Sequence, residues 1–352
     1  MKNILTLLLS LLIQTTFAQD FHFSQFFASP LSLNPATTGG VNGDWRVAAI
    51  FRSQWGWSST ISAFQTFGAS YDMAVMKGKL PGKDFIGLGT SFYSDQAGDA
   101  KFGNRQVNGF FSYHKSLDKA ATQYLVFGFQ TMYLMSGFFA PTSNLYFDNQ
   151  YCPTCPNNVD LTANNGEDFR GGLRNNMDFS TGVLWYATFN NNFSMNAGVA
   201  LSHLTAPKIV FLQNTIDVFR ENDARLKQKL TLHASARINL NSDVVFVPSF
   251  IFMKQGPATE FNIGSFLEFA LADKQKSNTA WSIGTWYRFG DAMVLATKID
   301  YQKLSVGFSY DLNVSSLIKA SKIAGGPELA ITYEGIFPKS SIGQGKILCP
   351  RF

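Results

Sequence analysis

The chain has 352 residues, of which only 15% are charged and 15% are aromatic, with 34 phenylalanines among them. Soluble domains carry roughly 25% charged residues, so this composition argues against an ordinary soluble domain and favours an apolar outer surface. The mean hydropathy of −0.01 excludes a helical membrane protein, and the net charge of +5 comes from scattered lysines and arginines, which do not form a nucleic-acid footprint.

The first predicted element is a signal peptide over residues 1–18. Lys2 precedes an apolar stretch over residues 4–13, and the small residues Thr16 and Ala18 mark a cleavage site. A retained membrane anchor is the weaker interpretation, because the apolar stretch is short for a spanning helix. Residues 19–44 then form a predicted periplasmic segment. Pro35 cannot continue a β-ladder, so we expect residues 19–40 to pack against or into the periplasmic mouth of the barrel that follows, as part of a plug.

From residue 45 onward, apolar and polar residues alternate in about fourteen short segments. The stretch LSVGFSY over residues 304–310 is typical, and such a strand has one apolar and one polar face. The predicted strands span residues 45–54, 63–76, 85–94, 105–116, 123–136, 176–189, 193–203, 225–240, 244–254, 259–270, 279–289, 292–299, 304–312 and 327–334. With the apolar faces outward, they predict an all-β fold, a single transmembrane antiparallel β-barrel over residues 45–334, followed by a periplasmic tail over residues 335–352.

Loop lengths support the barrel independently. With the N-terminus in the periplasm, the three longest connections all fall on the outer side; they span residues 137–175, 204–224 and 313–326. The turns on the inner side are short. Bacterial outer-membrane barrels have this asymmetry. The loop over residues 204–224 is apolar, so it either folds back on the barrel or binds a partner. Its candidate partner-binding residues are Ile209, Val210, Phe211, Leu212, Ile216 and Phe219.

The apolar set of each strand should face lipid, and the polar set should face the lumen. In residues 225–240 this rule turns Leu226, Leu230 and Leu232 outward. The predicted polar network of the lumen contains Arg46, Arg52, Asp72, His233, Arg237, Arg288, Asp311 and Glu328, and the same rule turns Asp178, Glu268, Lys298 and Glu334 inward. Both signs of charge occur, so we expect ion pairs, because buried charge is costly unless it is paired.

Residues for catalysis are sparse. The sequence has no GxSxG, HExxH or glycine-rich phosphate loop, and adjacent Ser202 and His203 would point to opposite faces of a strand. We therefore expect no enzymatic activity, no cofactor and no metal, with structural roles for the histidines. Cys152 and Cys155 form a CPTCP motif in a loop, which predicts either a local disulfide or two plain thiols, because no βαβ pattern suggests a redox site. The sequence does not fix the redox state of Cys349.

Two blocks of sequence resemble a known family. The first block is SQFFASPLSLNPATTGG over residues 24–40. The second covers residues 283–335, and its landmarks are Trp286-Tyr287-Arg288, Gly307-Phe308-Ser309-Tyr310-Asp311 and Glu328-Leu329. Between the two blocks lie the shorter motifs His203-Leu204-Thr205-Ala206-Pro207 and Val247-Pro248-Ser249. Together they resemble the PorP/SprF family of Bacteroidetes outer-membrane proteins, which is associated with type IX secretion and gliding motility. The resemblance implies no catalytic residues and covers nearly the whole mature chain.

The resemblance implies a barrel that anchors a large secreted adhesin-like cargo with a type-B C-terminal domain, or assists its surface delivery. The expected partners are that cargo, other outer-membrane or periplasmic components of the secretion system, and the lipid bilayer. An outer-membrane channel or transporter, either a porin or of the long-chain fatty-acid type, is the alternative. A membrane phospholipase is disfavoured because the sequence lacks a nucleophile constellation.

Overall fold

The structure is a computed structural model that describes residues 20–54, 64–98, 100–140, 145, 147–155, 158–160, 162–163, 173–208, 225–271, 279–315 and 324–337. Within these residues, no helix is long and apolar enough to cross a membrane.

Fourteen antiparallel strands form one closed barrel. Each strand pairs with its neighbours in sequence, and β1 closes the sheet by pairing with β14, with Arg46 opposite Glu334 and Arg52 opposite Glu328. The predicted barrel of about fourteen strands is therefore confirmed. The strands are β1 Trp45–Gln54, β2 Phe64–Val75, β3 Phe85–Ala97, β4 Phe102–Ser116, β5 Gln123–Phe138, β6 Arg174–Asn190, β7 Phe193–Ser202, β8 Lys229–Asn239, β9 Val244–Gln255, β10 Ala258–Ala270, β11 Thr279–Arg288, β12 Ala292–Tyr301, β13 Leu304–Asn313 and β14 Ala324–Gly335.

The strands alternate between a lipid-facing surface and the lumen, as their sequences predict. On β1, Arg46 and Arg52 are 6% and 5% exposed, whereas Val47 and Phe51 are each 43% exposed. Exposed aromatic and aliphatic side chains continue around the outside of the barrel. In an outer-membrane barrel these side chains contact lipid and not water.

Several strand boundaries differ from the prediction by up to four residues, and the starts of β8 and β14 show why. Strand β8 begins at Lys229 and not at residue 225, because Arg225 bridges to Lys208 above the barrel wall. Leu226 therefore does not face lipid: it is buried with Met132 and Leu134. Strand β14 begins at Ala324, three residues before the predicted start. The prediction missed these residues because Gly325, Gly326 and Pro327 show no alternation of apolar and polar side chains.

The two ends of the barrel differ in their connections. At one end, called here the long-loop end, the strands are joined over residues 55–63, 98–101, 139–173, 203–228, 256–257, 289–291 and 314–323. At the other, the short-turn end, the connections include two-residue turns such as Gln302 and Lys303, where Gln302 has a left-handed φ of 54°. A further 3-10 helix, Pro81–Lys83, lies at this end, and Asp148–Gln150 forms another in the loop between β5 and β6.

Residues 20–44 lie inside the barrel and are called here the lumen segment. They form a 3-10 helix (Phe26–Ala28), a single helical turn α1 (Pro30–Leu33) and a second 3-10 helix (Pro35–Thr37). Prolines begin the last two, where a missing backbone N–H costs nothing. Most of the segment is buried, including Phe23, Leu31 and Asn34, so the barrel has a packed interior in its described part.

Candidate functional site

The lumen wall carries glycines where the backbone of the lumen segment approaches it. A Cβ atom at Gly128 would lie 2.1 Å from the Ala36 nitrogen, one at Gly182 would lie 2.0 Å from Asn34 Oδ1, and one at Gly87 would lie 2.2 Å from the Thr38 oxygen. Glycine within a strand commonly marks such a close approach. These three positions, on β3, β5 and β6, are called here the glycine seats, and they accommodate the turn around residues 34–38.

Hydrogen bonds hold the same turn in place. Asn34 Oδ1 accepts from the Ala36 N–H at 2.9 Å, and Asn34 Nδ2 donates to the Val183 carbonyl at 3.1 Å and lies 3.2 Å from His233 Nε2. At Thr38, the carbonyl accepts from Ser112 Oγ at 2.7 Å and from His114 Nε2 at 2.8 Å. The turn is therefore bound to the wall through both ends.

Arg46 and Asp72 form a buried bidentate ion pair. Arg46 Nε and Nη2 each lie 2.9 Å from an Asp72 carboxylate oxygen, and the two residues are opposite each other across β1 and β2. Asp72 Oδ2 also accepts from the Gly39 N–H at 2.8 Å. A wall ion pair thus also binds the lumen segment.

A second charged group, called here the Arg52–Arg288 cluster, lies toward the long-loop end of β1, β11, β13 and β14. Asp311 Oδ2 lies 3.2 Å from Arg52 Nη2 and 3.1 Å from Arg288 Nη1, and Glu328 lies 3.5 Å from Arg52 Nε. The two Glu328 oxygens accept from the Ser24 and Gln25 N–H groups, both at 2.8 Å. Such buried charges are tolerated because they are paired and hydrogen-bonded.

Ser24 connects this cluster internally. Its hydroxyl donates to Asp311 Oδ2 at 2.8 Å and accepts from Arg288 Nη2 at 2.6 Å. Arg52 Nη1 also donates to the His22 carbonyl at 2.6 Å. The start of the lumen segment is therefore bound by wall residues of both charges.

A third group surrounds Asp20. Its carboxylate Oδ2 accepts from Lys229 Nζ at 2.5 Å and lies 3.2 Å from His203 Nε2, while its N–H donates to Gln255 Oε1 at 2.9 Å. His203 Nδ1 lies 2.7 Å from Asp178 Oδ2, and Asp178 Oδ1 also accepts from the Thr205 hydroxyl at 2.7 Å. His203 is thus placed between two carboxylates.

Electrostatics favour the charged forms of Asp20 and His203. Burial raises the pKa of Asp20, but the Lys229 ammonium and the bond from His203 outweigh burial and hold this pKa well below its usual range. Burial lowers the pKa of His203, but its bonds to Asp178 and Asp20 outweigh burial and raise this pKa above its usual range. Each partner stabilises the charge of the other.

The remaining residues singled out in the sequence have separate places. Arg237 forms a bidentate pair with Glu268, with its Nη1 3.0 Å from Glu268 Oε2, apart from the Arg52–Arg288 cluster. Trp286 is buried and stacks on Phe27 with ring centroids 5.4 Å apart, whereas Tyr287 is exposed. Cys152 and Cys155 are joined in a disulfide. The apolar loop residues Ile209, Val210, Phe211, Leu212, Ile216 and Phe219, and also Cys349, lie outside the described residues.

Sequence reasoning missed the residues of the lumen segment that bind these groups. Asp20, Ser24 and Asn34 make the decisive contacts, yet no periodic pattern marks residues outside strands. Glycines at inward-facing strand positions were the available signal for the close approach. In the described part of the chain, no cluster of histidine, cysteine and carboxylate side chains could hold a metal ion.

A closed fourteen-strand barrel with an apolar outer surface and a polar, charge-paired interior defines an outer-membrane β-barrel protein. The sequence model of the type IX secretion system membrane protein PorP/SprF matches residues 15–333. The chain belongs to this family, which confirms the resemblance seen in the sequence.

Solved structures with a similar barrel have low sequence identity. The Ralstonia pickettii toluene transporter TbuX has a TM-score of 0.51 at 10% identity, covering 88% of this chain and 94% of that chain. The deltaS2 mutant of the monoaromatic hydrocarbon channel TodX has a TM-score of 0.50 at 8% identity, with the same two shares covered. These similarities show the fold alone. A comparison with curated proteins finds no match.

Proposed function

We propose that this protein is a non-enzymatic, plugged outer-membrane barrel of the type IX secretion system. It anchors a secreted adhesin-like cargo with a type-B C-terminal domain, or assists its delivery to the surface. The long-loop end faces outward and the short turns face the periplasm, as in bacterial barrels generally. The observation that carries the proposal is the lumen segment, which is bound to the wall from its first described residue to its last.

A lumen filled in this way supports a role in protein contacts more than a role in transport. The glycine seats at Gly87, Gly128 and Gly182 leave no room between turn and wall, and the turn is hydrogen-bonded on both sides. Moving the segment would break the hydrogen bonds that the Ser24 and Gly39 N–H groups donate to the buried carboxylates of Glu328 and Asp72. The loops over residues 137–175 and 204–224 are then the surfaces available to the cargo.

The family places the protein in a secretion system, so its partners are expected among the proteins of that system. Detergent extraction of the native protein, affinity capture and identification of the copurifying proteins tests this directly. We expect a large secreted surface protein to copurify, and to be lost when residues 209–219 are replaced by a glycine-serine linker. Replacing residues 272–278, in the connection between β10 and β11 at the short-turn end, by the same kind of linker is the control.

Deletion of the gene supplies the decisive result. We expect the cargo to appear in the medium or to stay inside the cell, and no longer to be attached to the surface. If every cargo with a type-B C-terminal domain is still secreted and attached after deletion, the anchoring proposal is wrong.

A channel or transporter is the second candidate, because the barrel fold is shared with the toluene transporter TbuX. Recording from the purified protein in planar bilayers separates the two functions. A steady ohmic conductance would favour a pore, and a silent bilayer containing folded protein would favour the plugged scaffold.

A further inference from the structure

The lumen segment runs through the whole length of the barrel. Its last residues lie at the short-turn end, where the Asp44 N–H donates to the Gly335 carbonyl at 2.8 Å and Lys77 Nζ donates to the Gly43 carbonyl at 2.7 Å. Its first described residue, Asp20, lies at the opposite end. The lumen segment therefore begins at the long-loop end of the barrel and finishes at the short-turn end.

The contacts of Asp20 all come from the long-loop end. Lys229 is the first residue of β8, Gln255 is the last residue of β9, and His203 directly follows β7. Lys229 and His203 hold the carboxylate, and Gln255 accepts from the backbone N–H. The side chain and the backbone of Asp20 are thus bound together, as in a preformed binding site for a carboxylate.

This site can be reached from the same end. The Asp20 side chain keeps 12% of its surface exposed, and a cleft lined by Phe21, Met253 and Thr259 opens beside it. His203, in contrast, is fixed from behind by Asp178 and is 1% exposed. The site therefore has a rigid base and an open side.

We propose that Lys229, His203 and Gln255 form a latch for Asp20, which fixes the start of the lumen segment at the extracellular mouth and makes the chain directly before Asp20 accessible from outside the cell. This inference rests on the outward assignment of the long loops in the proposed function. A signal peptide held in the inner membrane cannot also extend from the extracellular mouth, so its proteolytic removal precedes closure of the barrel around residues 20–44.

Cysteine labelling in intact cells tests the position of the chain before Asp20. A cysteine is inserted between Gln19 and Asp20 in a Cys349→Ser background, in which Cys152 and Cys155 are held in their disulfide. Leu173→Cys, before β6, is the control for the long-loop end, and Lys303→Cys is the control for the short-turn end. With a membrane-impermeant maleimide, we expect the inserted cysteine and Leu173→Cys to be labelled in intact cells, and Lys303→Cys only after permeabilisation.

The outcomes separate this inference from the assignment beneath it. If Leu173→Cys is labelled in intact cells and the inserted cysteine only after permeabilisation, the position proposed for the chain before Asp20 is wrong. If Lys303→Cys is labelled in intact cells and Leu173→Cys is not, the outward assignment of the long loops is wrong.

A spin label on the inserted cysteine tests the latch itself. In the reconstituted protein we expect a broad, immobilised spectrum, and a rotational correlation time that falls several-fold with Lys229→Met. Lys254→Met, an exposed lysine beside Gln255 on β9, should leave the spectrum unchanged. Asp20→Asn provides a second variant of nearly equal size, in case Lys229→Met does not fold. A spectrum that stays immobilised in the folded variant would overturn the latch.

Discussion

The glycine seat at Gly128 gives a quantitative test of how tightly the lumen segment is held. In Gly128→Ala, the new Cβ would lie 2.1 Å from the Ala36 nitrogen and 2.4 Å from its Cα. Ordinary contact between such atoms needs about 3.5 Å, so the turn must move by more than about 1 Å. Strand backbone blocks movement of the wall, because Gly128 is paired on both sides, with Ser112 and Gly182.

The cost can be estimated from the bonds that such a shift would break. Overpacking a well-packed interior costs about 1–3 kcal/mol, and each hydrogen bond lost from the turn, such as that from Asn34 to the Val183 carbonyl, adds about 0.5–1.5 kcal/mol. We expect a loss of about 2–5 kcal/mol in the free energy of unfolding. Gly109→Ala on the neighbouring strand β4 is the matched control, because a Cβ atom added at Gly109 would have nothing within 4 Å.

Urea unfolding of the reconstituted barrel measures this difference, and planar-bilayer recording of the same samples reports whether the lumen opens. We expect Gly128→Ala to unfold at lower urea and to show intermittent current, whereas Gly109→Ala should match the unmodified protein. Equal unfolding free energies for the two variants would refute the argument that the seat is filled by the lumen segment.

The charged groups and the disulfide give three more tests. Asp72→Asn should lower the free energy of unfolding by about 3–5 kcal/mol in urea titrations, because the buried Arg46 loses its bidentate carboxylate partner; a loss below about 1 kcal/mol would contradict the role given to this pair. The latch around Asp20 should be strongest between about pH 4 and pH 6.5, the ordinary pKa values of its two groups. The lowered pKa of Asp20 gives a contribution that is lost in acid, and the raised pKa of His203 gives one that is lost as the pH rises through it; a spin-label mobility that does not change from about pH 3 to about pH 9 would contradict this. Replacing Cys152 and Cys155 by serine should leave barrel unfolding within about 0.5 kcal/mol of the unmodified protein, because their disulfide closes a short loop outside the strand ladder; a larger loss in the same titration would show that this loop packs on the barrel.

Strand alternation made the barrel predictable from sequence. On β1, the apolar residues Val47 and Phe51 and the polar residues Arg46 and Arg52 separate cleanly, because lipid and lumen impose opposite requirements on successive residues. The rule failed at Leu226, which lies three residues before the first residue of β8. Only the residues from Lys229 onward are paired with neighbouring strands, so Leu226 is not part of the barrel wall.

The lumen was predictable only as a set of inward residues. The pairing of Arg46 with Asp72 depends on the register of β1 with β2, and a loop over residues 55–63 does not fix that register. The contact of Glu328 with Ser24 joins residues 304 positions apart, and the position of Ser24 depends on how the lumen segment folds. Alternation therefore predicts the chemistry of the wall, while the choice of partners depends on strand register and on the three-dimensional path of residues 20–44.

The distribution of contacts along that path explains why the segment acts as part of the fold. Asp20 is bound by β8 and β9, Ser24 by β13 and β14, Asn34 by β6 and β8, and Gly39 by β2. A segment bound at one end could move aside as a hinged lid, but one bound to opposite walls at several depths must lose most of these contacts together. Opening the lumen would then require most of the polar contacts of the segment to break together. This distribution of contacts supports the proposal that the barrel acts through its loops and not through its lumen.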